Sequence, residues 1–322
     1  MADNTNQTTY KVSSNPHVRS KATTGGIMLM VIIALMPATG FGIYNFGLRA
    51  VFVICVCVAS AVLSEFLFNL ILKRKQSIFD LSAVVTGLLL ALNLPVSIPL
   101  WMAGLGSFFA IVVVKMLFGG IGQNFMNPAL GARCFLVISF PAAMTNFVTD
   151  AYTGATPLAA LKAGENINIF DMIIGRTGGT IGETSLVAII IGACFLILMG
   201  VIDLIIPGCY IVTFVLFLGI FGQRGFDPAF ITAHLAGGGL MLGAFFMATD
   251  YVTRPMTKWG QVIYGVFLGI MTGVFRVFGP SAEGVSYSII LGNLLVPLIE
   301  KFTRPIPFGF KRSELKKLKG GK

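Results

Sequence analysis

Long apolar runs separated by short polar segments dominate the chain. About 20 apolar residues cross the hydrocarbon core of a bilayer. On that measure the pattern predicts spans at residues 26–46, 49–72, 79–95, 99–118, 128–144, 184–201, 203–221, 228–248, 260–278 and 284–300. The predicted fold class is therefore an all-α integral membrane protein with about ten transmembrane helices.

The two halves of this pattern resemble each other. Span three begins at Phe79-Asp80 and span eight at Phe226-Asp227, and small residues follow in both. With five spans in each half, equivalent spans start on opposite sides of the membrane, which predicts a five-plus-five inverted repeat. The predicted organisation is a cytoplasmic N-terminal segment, a first repeat, an outer loop, a second repeat and a basic cytoplasmic tail, at residues 1–25, 26–144, 145–183, 184–300 and 301–322.

Glycine and proline clusters predict broken helices near residues 93–99, 119–122 and 237–239. Non-helical backbone at membrane depth is tolerated where protein or a cavity covers it. Such a break is typical of a binding site or a pathway. Close helix packing through glycine is the alternative, and for Gly237 to Gly239 both interpretations remain open.

Composition agrees with a membrane protein. Of the 322 residues 56% are hydrophobic and 11% charged, whereas a soluble domain carries about 25% charged residues. A soluble enzyme and a nucleic-acid-binding domain are thereby excluded. The five cysteines all lie in apolar segments, where we expect them to pack as small apolar side chains.

The net charge of +10 is concentrated between and after the spans. Lys73 to Lys75, Arg254, Lys258 and the tail fall on one side of a ten-span chain, together with the N-terminal segment, and the positive-inside rule makes that side cytoplasmic. The acidic loop 145–183 then lies outside. The chain is predicted to be a multi-pass membrane protein with both termini in the cytoplasm.

The outer loop contains the string Thr153-Gly154-Ala155-Thr156-Pro157. Thr156 would cap a short helix that begins at Pro157, and this structural role is the simpler interpretation. The residue before a proline is also held extended, so the hydroxyl would project from the loop. A phosphate placed there would meet the free N–H groups of the helix.

A second string, GGIGQNFMNPALGAR, covers residues 119–133. Asn127-Pro128 is expected to start span five. The carboxamides of Asn124 and Asn127, beside a glycine-rich break, could also bind a planar polar heterocycle. Arg133 would lie inside the membrane and needs a partner or a cavity.

Together these strings resemble the RnfD/NqrB family of membrane subunits. Thr153-Gly-Ala-Thr156 is similar to its [S/T]GAT flavinylation motif, and residues 119–133 to its glycine/asparagine segment. The resemblance covers residues 14–305, and the short N-terminal segment is typical of the RnfD branch of the ion-translocating ferredoxin:NAD oxidoreductase complex, the Rnf complex. The resemblance implies a helical bundle like those of urea and ammonium channels, located in the bacterial inner membrane.

The resemblance implies FMN esterified to Thr156, with Thr153, Gly154 and Ala155 as the recognised motif. Arg276 and Glu283 are expected to form a pair near the outer face, close to the FMN. The resemblance also implies a noncovalent riboflavin on the cytoplasmic side, for which the matching candidates are Asn124, Asn127, Gly119 and Gly120. The implied partners are the other Rnf subunits with their iron–sulfur and flavin centres, a flavin transferase for maturation, and the bilayer, with no nucleic acid.

Three further titratable residues have two interpretations each. Asp250 could line an ion path, or cap a turn or pair with Arg254. Glu183 could serve the ion path, but its spacing from Thr180 favours a capping box at the start of span six. His234 could relay protons, although a packing role is favoured.

The predicted function is an electron-carrying subunit of a redox-driven Na⁺ or H⁺ pump. The chain carries no dinucleotide fingerprint and no iron–sulfur cysteine set, so it would catalyse no substrate reaction alone. No catalytic residue and no metal site are predicted. The alternatives are a flavin-free solute channel or transporter, and a structural membrane scaffold.

Overall fold

The structure is a computed structural model, which describes residues 22–149, 152–153, 158, 161, 169–175, 178–183, 185–222, 224–279 and 284–305. These residues are almost entirely helical. The helices are α1 (Thr24–Phe46), α2 (Leu48–Ile71), α3 (Ser82–Leu92), α4 (Leu100–Phe108), α5 (Pro128–Ser139), α6 (Pro141–Met144), α7 (Ile169–Ile174), α8 (Leu186–Leu198), α9 (Ile205–Phe221), α10 (Pro228–Ala236), α11 (Leu240–Leu242), α12 (Lys258–Val277) and α13 (Val285–Thr303). Two-residue strands β1 (Val148–Thr149) and β2 (Tyr152–Thr153) pair antiparallel in the loop after α6.

Two helices continue as π-helix, with one extra residue in each turn. α4 continues through Phe109–Met116 and α11 through Gly243–Met247. π-Helical turns are rare and occur mostly at functional sites. These two segments are therefore the first places to search for a site.

Several helices are long and apolar enough to cross a membrane. Within the described residues α1, α2, α12 and α13 meet this criterion, and α10 with α11 and its π-helical continuation forms a fifth candidate that is bent by 62°. Five shorter apolar helices are α3, α4 with its continuation, α5, α8 and α9. The chain is thus a multi-pass helical membrane protein, whereas the ten-span inverted repeat stays a prediction.

Backbone geometry explains the two broken spans. Leu81 has φ 58°, a left-handed conformation that no helix continues, so α3 starts only at Ser82 and a separate 3₁₀ turn, Ile78–Asp80, precedes it. The single helix predicted for 79–95 is therefore wrong in extent. In the second half Gly238 and Gly239 have φ 71° and 64° and separate α10 from α11, which confirms the predicted break.

Close packing between helices relies on small residues. Gly265, Gly269 and Gly273 lie four residues apart on α12, and a Cβ on Gly269 would stand 2.7 Å from Thr213 Cβ and 2.8 Å from Tyr210 O of α9. α2 similarly admits Gly87 of α3, where a Cβ would stand 2.9 Å from Cys57 O. Without a hydrophobic drive between helices in lipid, such close approach supplies much of the association.

Two boundary predictions need correction. Span 128–144 is interrupted, because Phe140 leaves the helical conformation and Pro141 starts the separate turn α6.

The predicted capping box of Thr180 and Glu183 is also wrong. Ser185 caps α8 by accepting from the Ala188 N–H, while the Thr180 hydroxyl donates to Glu183 Oε2 at 3.0 Å.

The cysteines are free thiols, but the expectation that all five pack in the core is wrong for Cys55 and Cys194, which are exposed. Cys57 is buried against Ala103 O, and Cys55 is exposed on the opposite side of α2.

Candidate functional site

A cavity is lined in part by residues of the two π-helical segments. Its walls combine apolar side chains with a few polar ones. The polar lining residues are Ser82, Thr86, Lys115, Asn124, Asn127, Thr249 and Asp250.

Both π-helical segments supply the cavity walls. Lys115 comes from the π-helical continuation of α4, and Phe245 and Phe246 come from that of α11. Val85 and Leu89 of α3 form part of the apolar surface of the cavity. Flat apolar walls with polar groups at the edges are suited to a planar heterocycle that carries hydrogen-bonding atoms on its rim.

The two predicted asparagines both line this cavity, with different local roles. Asn127 caps α5, because its Oδ1 accepts from the N–H groups of Ala129 and Leu130 at 3.1 and 3.4 Å, and its Nδ2 lies 3.4 Å from Met247 O. Asn124 donates from Nδ2 to Met126 O at 3.0 Å and is buried. Asn127 therefore fixes the wall, while Asn124 contributes to the lining from the adjoining loop.

A buried ion pair adjoins the cavity. Lys115 Nζ donates to Glu65 Oε2 and to Ser82 Oγ, both at 2.7 Å, and the two charged side chains are 4% and 1% exposed. The other Glu65 oxygen accepts from the Ser77 hydroxyl, to which Asn69 donates at 3.0 Å. Because both carboxylate oxygens have donors, the pair meets the requirement that buried charges be hydrogen-bonded.

Asp250 lies on the cavity wall, after the end of the π-helical segment. Its Oδ2 accepts from the Thr253 hydroxyl at 3.2 Å, so the capping interpretation is confirmed, whereas Arg254 approaches Asp203 instead, at 4.0 Å. Burial raises the pKa of the Asp250 carboxyl, and hydrogen bonds from Val252 and Thr253 and the charge of Arg254 oppose that rise. The protonated form is thereby favoured relative to a solvated aspartate.

Arg133 has the partners that an arginine among apolar helices requires. Its Nη1 donates to Asn93 Oδ1 at 3.2 Å and to Ser286 Oγ at 2.9 Å. Asn93 lies directly after α3, and Ser286 lies in the first turn of α13. Arg133 thus ties α5 of the first half to α13 of the second.

A second polar cluster surrounds the break between α10 and α11. Arg276 donates from Nη2 to Gly237 O and Gly238 O, both at 3.0 Å, and from Nη1 to His234 O. These are carbonyls that the end of α10 leaves without helical partners. The His234 ring packs edge-on to Phe230, which agrees with the favoured packing role.

The turn between α10 and α11 also packs against Leu158, which lies between β2 and α7. A Cβ placed on Gly238 would stand 2.4 Å from Arg276 Nη2 and 2.7 Å from Leu158 Cδ1, so both side chains pack on the same turn. Glu183 lies nearby, since a Cβ on Gly239 would stand 3.9 Å from its Oε2. Glu183 and Asp250, the two ion-path candidates, therefore belong to different clusters.

Several predicted site residues are placed elsewhere or lie outside the described residues. Thr153 ends β2. Gly119 and Gly120 form the turn after the π-helical segment with φ 124° and 101°, and they are not among the residues that line the cavity. Gly154, Ala155, Thr156 and Glu283 lie outside the described residues.

Sequence reasoning missed Lys115 and Glu65. Each is a charged residue inside a predicted apolar span, and such residues need a partner. Their opposite signs, on the second and the fourth predicted spans, were the signal that could have paired them.

Comparisons with known proteins cover nearly the whole chain. The model of the NQR2, RnfD, RnfE family matches residues 11–309. A relative from Acetobacterium woodii, named as a subunit of the Na(+)-translocating ferredoxin:NAD(+) oxidoreductase complex, is 47% identical over 94% of this chain and 96% of its own length. The corresponding subunit of the proton-translocating complex of Clostridium ljungdahlii is 41% identical over 94% and 97%, and that of an ion-translocating oxidoreductase complex of Actinobacillus succinogenes is 32% identical over 94% and 98%.

Proposed function

Because the chain belongs to the NQR2, RnfD, RnfE family, we propose that it carries electrons in the membrane part of an ion-translocating ferredoxin:NAD oxidoreductase complex. The observation that carries this proposal is the match, over 94% of the chain, to relatives named as subunits of such complexes. The other Rnf subunits are then its partners, and substrate oxidation and NAD reduction take place on them. This chain would receive electrons from one partner and pass them to another, coupled to movement of Na⁺ or H⁺.

We further propose that FMN is esterified to Thr156. The flavinylation-like string and the neighbourhood of the outer loop support this assignment. Leu158, two residues after Thr156 in sequence, packs beside Arg276 on the Gly237–Gly238 turn. A phosphoester on this loop would thus carry its negative charge toward the part of the protein where a buried cation is fixed.

The cavity between the π-helical segments suits the second proposed cofactor, a noncovalent riboflavin. Its walls of Phe245 and Phe246 and its polar edge with Asn124 suit a neutral heterocycle with several rim acceptors. Bound there, riboflavin would supply electron-transfer chemistry, while the chain's own residues orient it and exclude water. The two proposed flavins would occupy separate clusters of the bundle and could form an electron path between them.

The proposed topology is ten spans in two inverted repeats. Equivalent helices pack alike in the two halves: α2 against α4 and α9 against α12, and α1 meets α8 across the repeats. In a cysteine-free variant, single cysteines at Lys75 and Lys258 should react with a membrane-impermeant maleimide only after permeabilisation. Cysteines at Asn146 and Arg224 should react in intact cells, and the reverse pattern would refute this topology.

In-gel flavin fluorescence tests the covalent FMN. Protein produced with an active flavin transferase should give a fluorescent band after denaturation, and Thr156→Ala should remove it. Thr145→Ala, a matched change in the same outer loop, should leave the fluorescence unchanged, and Thr153→Ala should lower the labelled fraction. A dark wild-type band under these conditions would refute the covalent attachment.

Acid extraction tests the noncovalent flavin. In the Thr156→Ala background, the purified protein should release riboflavin. Asn124→Ala should lower the amount, whereas Gln123→Ala, at the neighbouring exposed position, should not. A flavin-free protein that conducts a solute in liposomes without partner subunits would instead support the channel interpretation.

A further inference from the structure

Lys115 has a hydrogen-bonding capacity that the described structure does not use. A lysine ammonium has three N–H donors. Within the described residues, Nζ donates to Glu65 Oε2 and Ser82 Oγ, which leaves one donor. Lys115 also lines the cavity, whereas Glu65 lies behind it, outside the lining.

The surroundings hold this ammonium in one position. Glu65 is itself fixed by Ser77, and Ser77 by Asn69. Ser82 is fixed by the left-handed turn at Leu81 that starts α3. A flexible lysine held at two points loses little further freedom on binding a ligand, and such preorganisation favours affinity.

The π-helical conformation contributes to this placement. Lys115 is the last but one residue of the π-helical segment Phe109–Met116. The extra residue per turn changes the direction of a side chain relative to an α-helix. Because π-helical turns cluster at functional sites, a cavity-lining cation in one of them is a stronger indication than a lysine in a regular helix.

We propose that Lys115 is a positioning and potential-setting residue of the cavity, and that it donates its third N–H to a rim acceptor of a bound flavin. This inference rests on the proposed riboflavin site. A flavin gains electrons and can gain negative charge on reduction, and a fixed cation within hydrogen-bond reach stabilises that form more than the oxidised one. Glu65 holds the lysine charged and aimed, so it acts on the ligand only through Lys115.

The test needs variants that separate this role from folding. Removing one member of a buried ion pair destabilises strongly, while replacing both by neutral groups can be tolerated. The informative protein is therefore the double variant Lys115→Met/Glu65→Gln, made in the Thr156→Ala background so that only noncovalent flavin is measured. Lys115→Arg keeps the charge, and Lys258→Met removes an exposed lysine as the matched control.

The measurements are riboflavin titration by fluorescence quenching, the reduction midpoint of the bound flavin, and the melting temperature. The double variant should melt close to the parent protein, yet bind riboflavin about tenfold to a hundredfold more weakly, as expected for loss of a charged hydrogen bond. Its flavin should also be reduced at a more negative potential. Lys115→Arg should restore much of the affinity, and Lys258→Met should resemble the parent in all three measurements.

Two failures are distinguishable. If the parent protein binds no riboflavin, the proposed riboflavin site falls, and this inference falls with it. If the parent binds riboflavin and the folded double variant binds it with the same affinity and midpoint potential, the riboflavin site stands and the assignment to Lys115 is overturned. If that double variant fails to fold, Lys115→Gln/Glu65→Gln, which also removes both charges, replaces it and is judged by the same affinity and midpoint potential.

Discussion

Substitution of Arg276 should show how much this side chain stabilises the turn between α10 and α11. Its guanidinium donates to Gly237 O, Gly238 O and His234 O at the end of α10. The side chain is 2% exposed and its charge also lies over the Phe214 ring, 5.2 Å from the centroid. Arg276→Gln should therefore leave carbonyls unpaired in a place that water reaches poorly.

The size of the effect follows from those contacts. A buried polar group without a partner costs about 1–3 kcal/mol, so three carbonyls set a lower estimate of about 3 kcal/mol. For soluble domains of 150–250 residues, 1 kcal/mol lowers the melting temperature by roughly 2–4 °C. We expect Arg276→Gln to melt about 6 °C or more below the wild type.

Thermal unfolding in detergent, followed by intrinsic fluorescence, measures this change. Arg276→Lys should lose less, because an ammonium keeps the charge but cannot reproduce the planar fork that reaches neighbouring carbonyls. Arg304→Gln, at an exposed arginine after α13, is the matched control and should melt as the wild type does. A wild-type melting temperature for Arg276→Gln would refute the view that this arginine holds the break.

Two further predictions concern packing and pH. Gly269→Val should destabilise the protein by about 1–3 kcal/mol, as in overpacked cores, because a Cβ there would stand 2.7 Å from Thr213 Cβ; Gly208→Val, where no atom lies within 4 Å, should have little effect, and equal melting temperatures for the two variants would contradict this. Burial raises the pKa of Asp250 above its ordinary 3.8, so the stability from its protonated form is present at low pH and lost as pH rises through the folded-state pKa. Asp250→Asn should therefore melt above the wild type at neutral pH, with the gap closing in acid, and a less stable variant at neutral pH would show that the accepted hydrogen bonds outweigh burial.

Helix positions were largely predictable because apolar length is a local property of the chain. The predicted spans 26–46, 49–72 and 260–278 correspond to Thr24–Phe46, Leu48–Ile71 and Lys258–Val277. The Gly237–Gly239 break was also predictable, since glycine adopts a positive φ without steric cost.

The break before α3 was not predictable in the same way. Leu81 adopts φ 58°, and a leucine gives no local signal for a left-handed turn. Packing must over-determine such a residue, because the conformation is unfavourable in isolation. Here the backbone of Gly25, at the start of α1, approaches Phe79 O closely enough that a Cβ would stand 3.1 Å away.

The candidate site was likewise predictable in part. Asn124 and Asn127 were found because they share one short segment, and both line the cavity. Lys115 and Glu65 are 50 positions apart in sequence, and only the packing of α2 against α4 and its continuation brings them together. The sequence shows each of these charged residues, but only the folded structure shows that they form an ion pair.

The buried cations Lys115 and Arg276 share a structural setting. Lys115 binds Ser82, the residue that follows the left-handed turn at Leu81, and Arg276 binds Gly237 and Gly238, which precede the second left-handed glycine. α4 and α12 are equivalent in the proposed inverted repeat, so each half would place a cation of its fourth span against the break of its third. Such a correspondence is what the proposed repeat would produce. In the proposed repeat the two cations would lie toward opposite faces of the membrane, Lys115 beside the cavity and Arg276 beside Leu158.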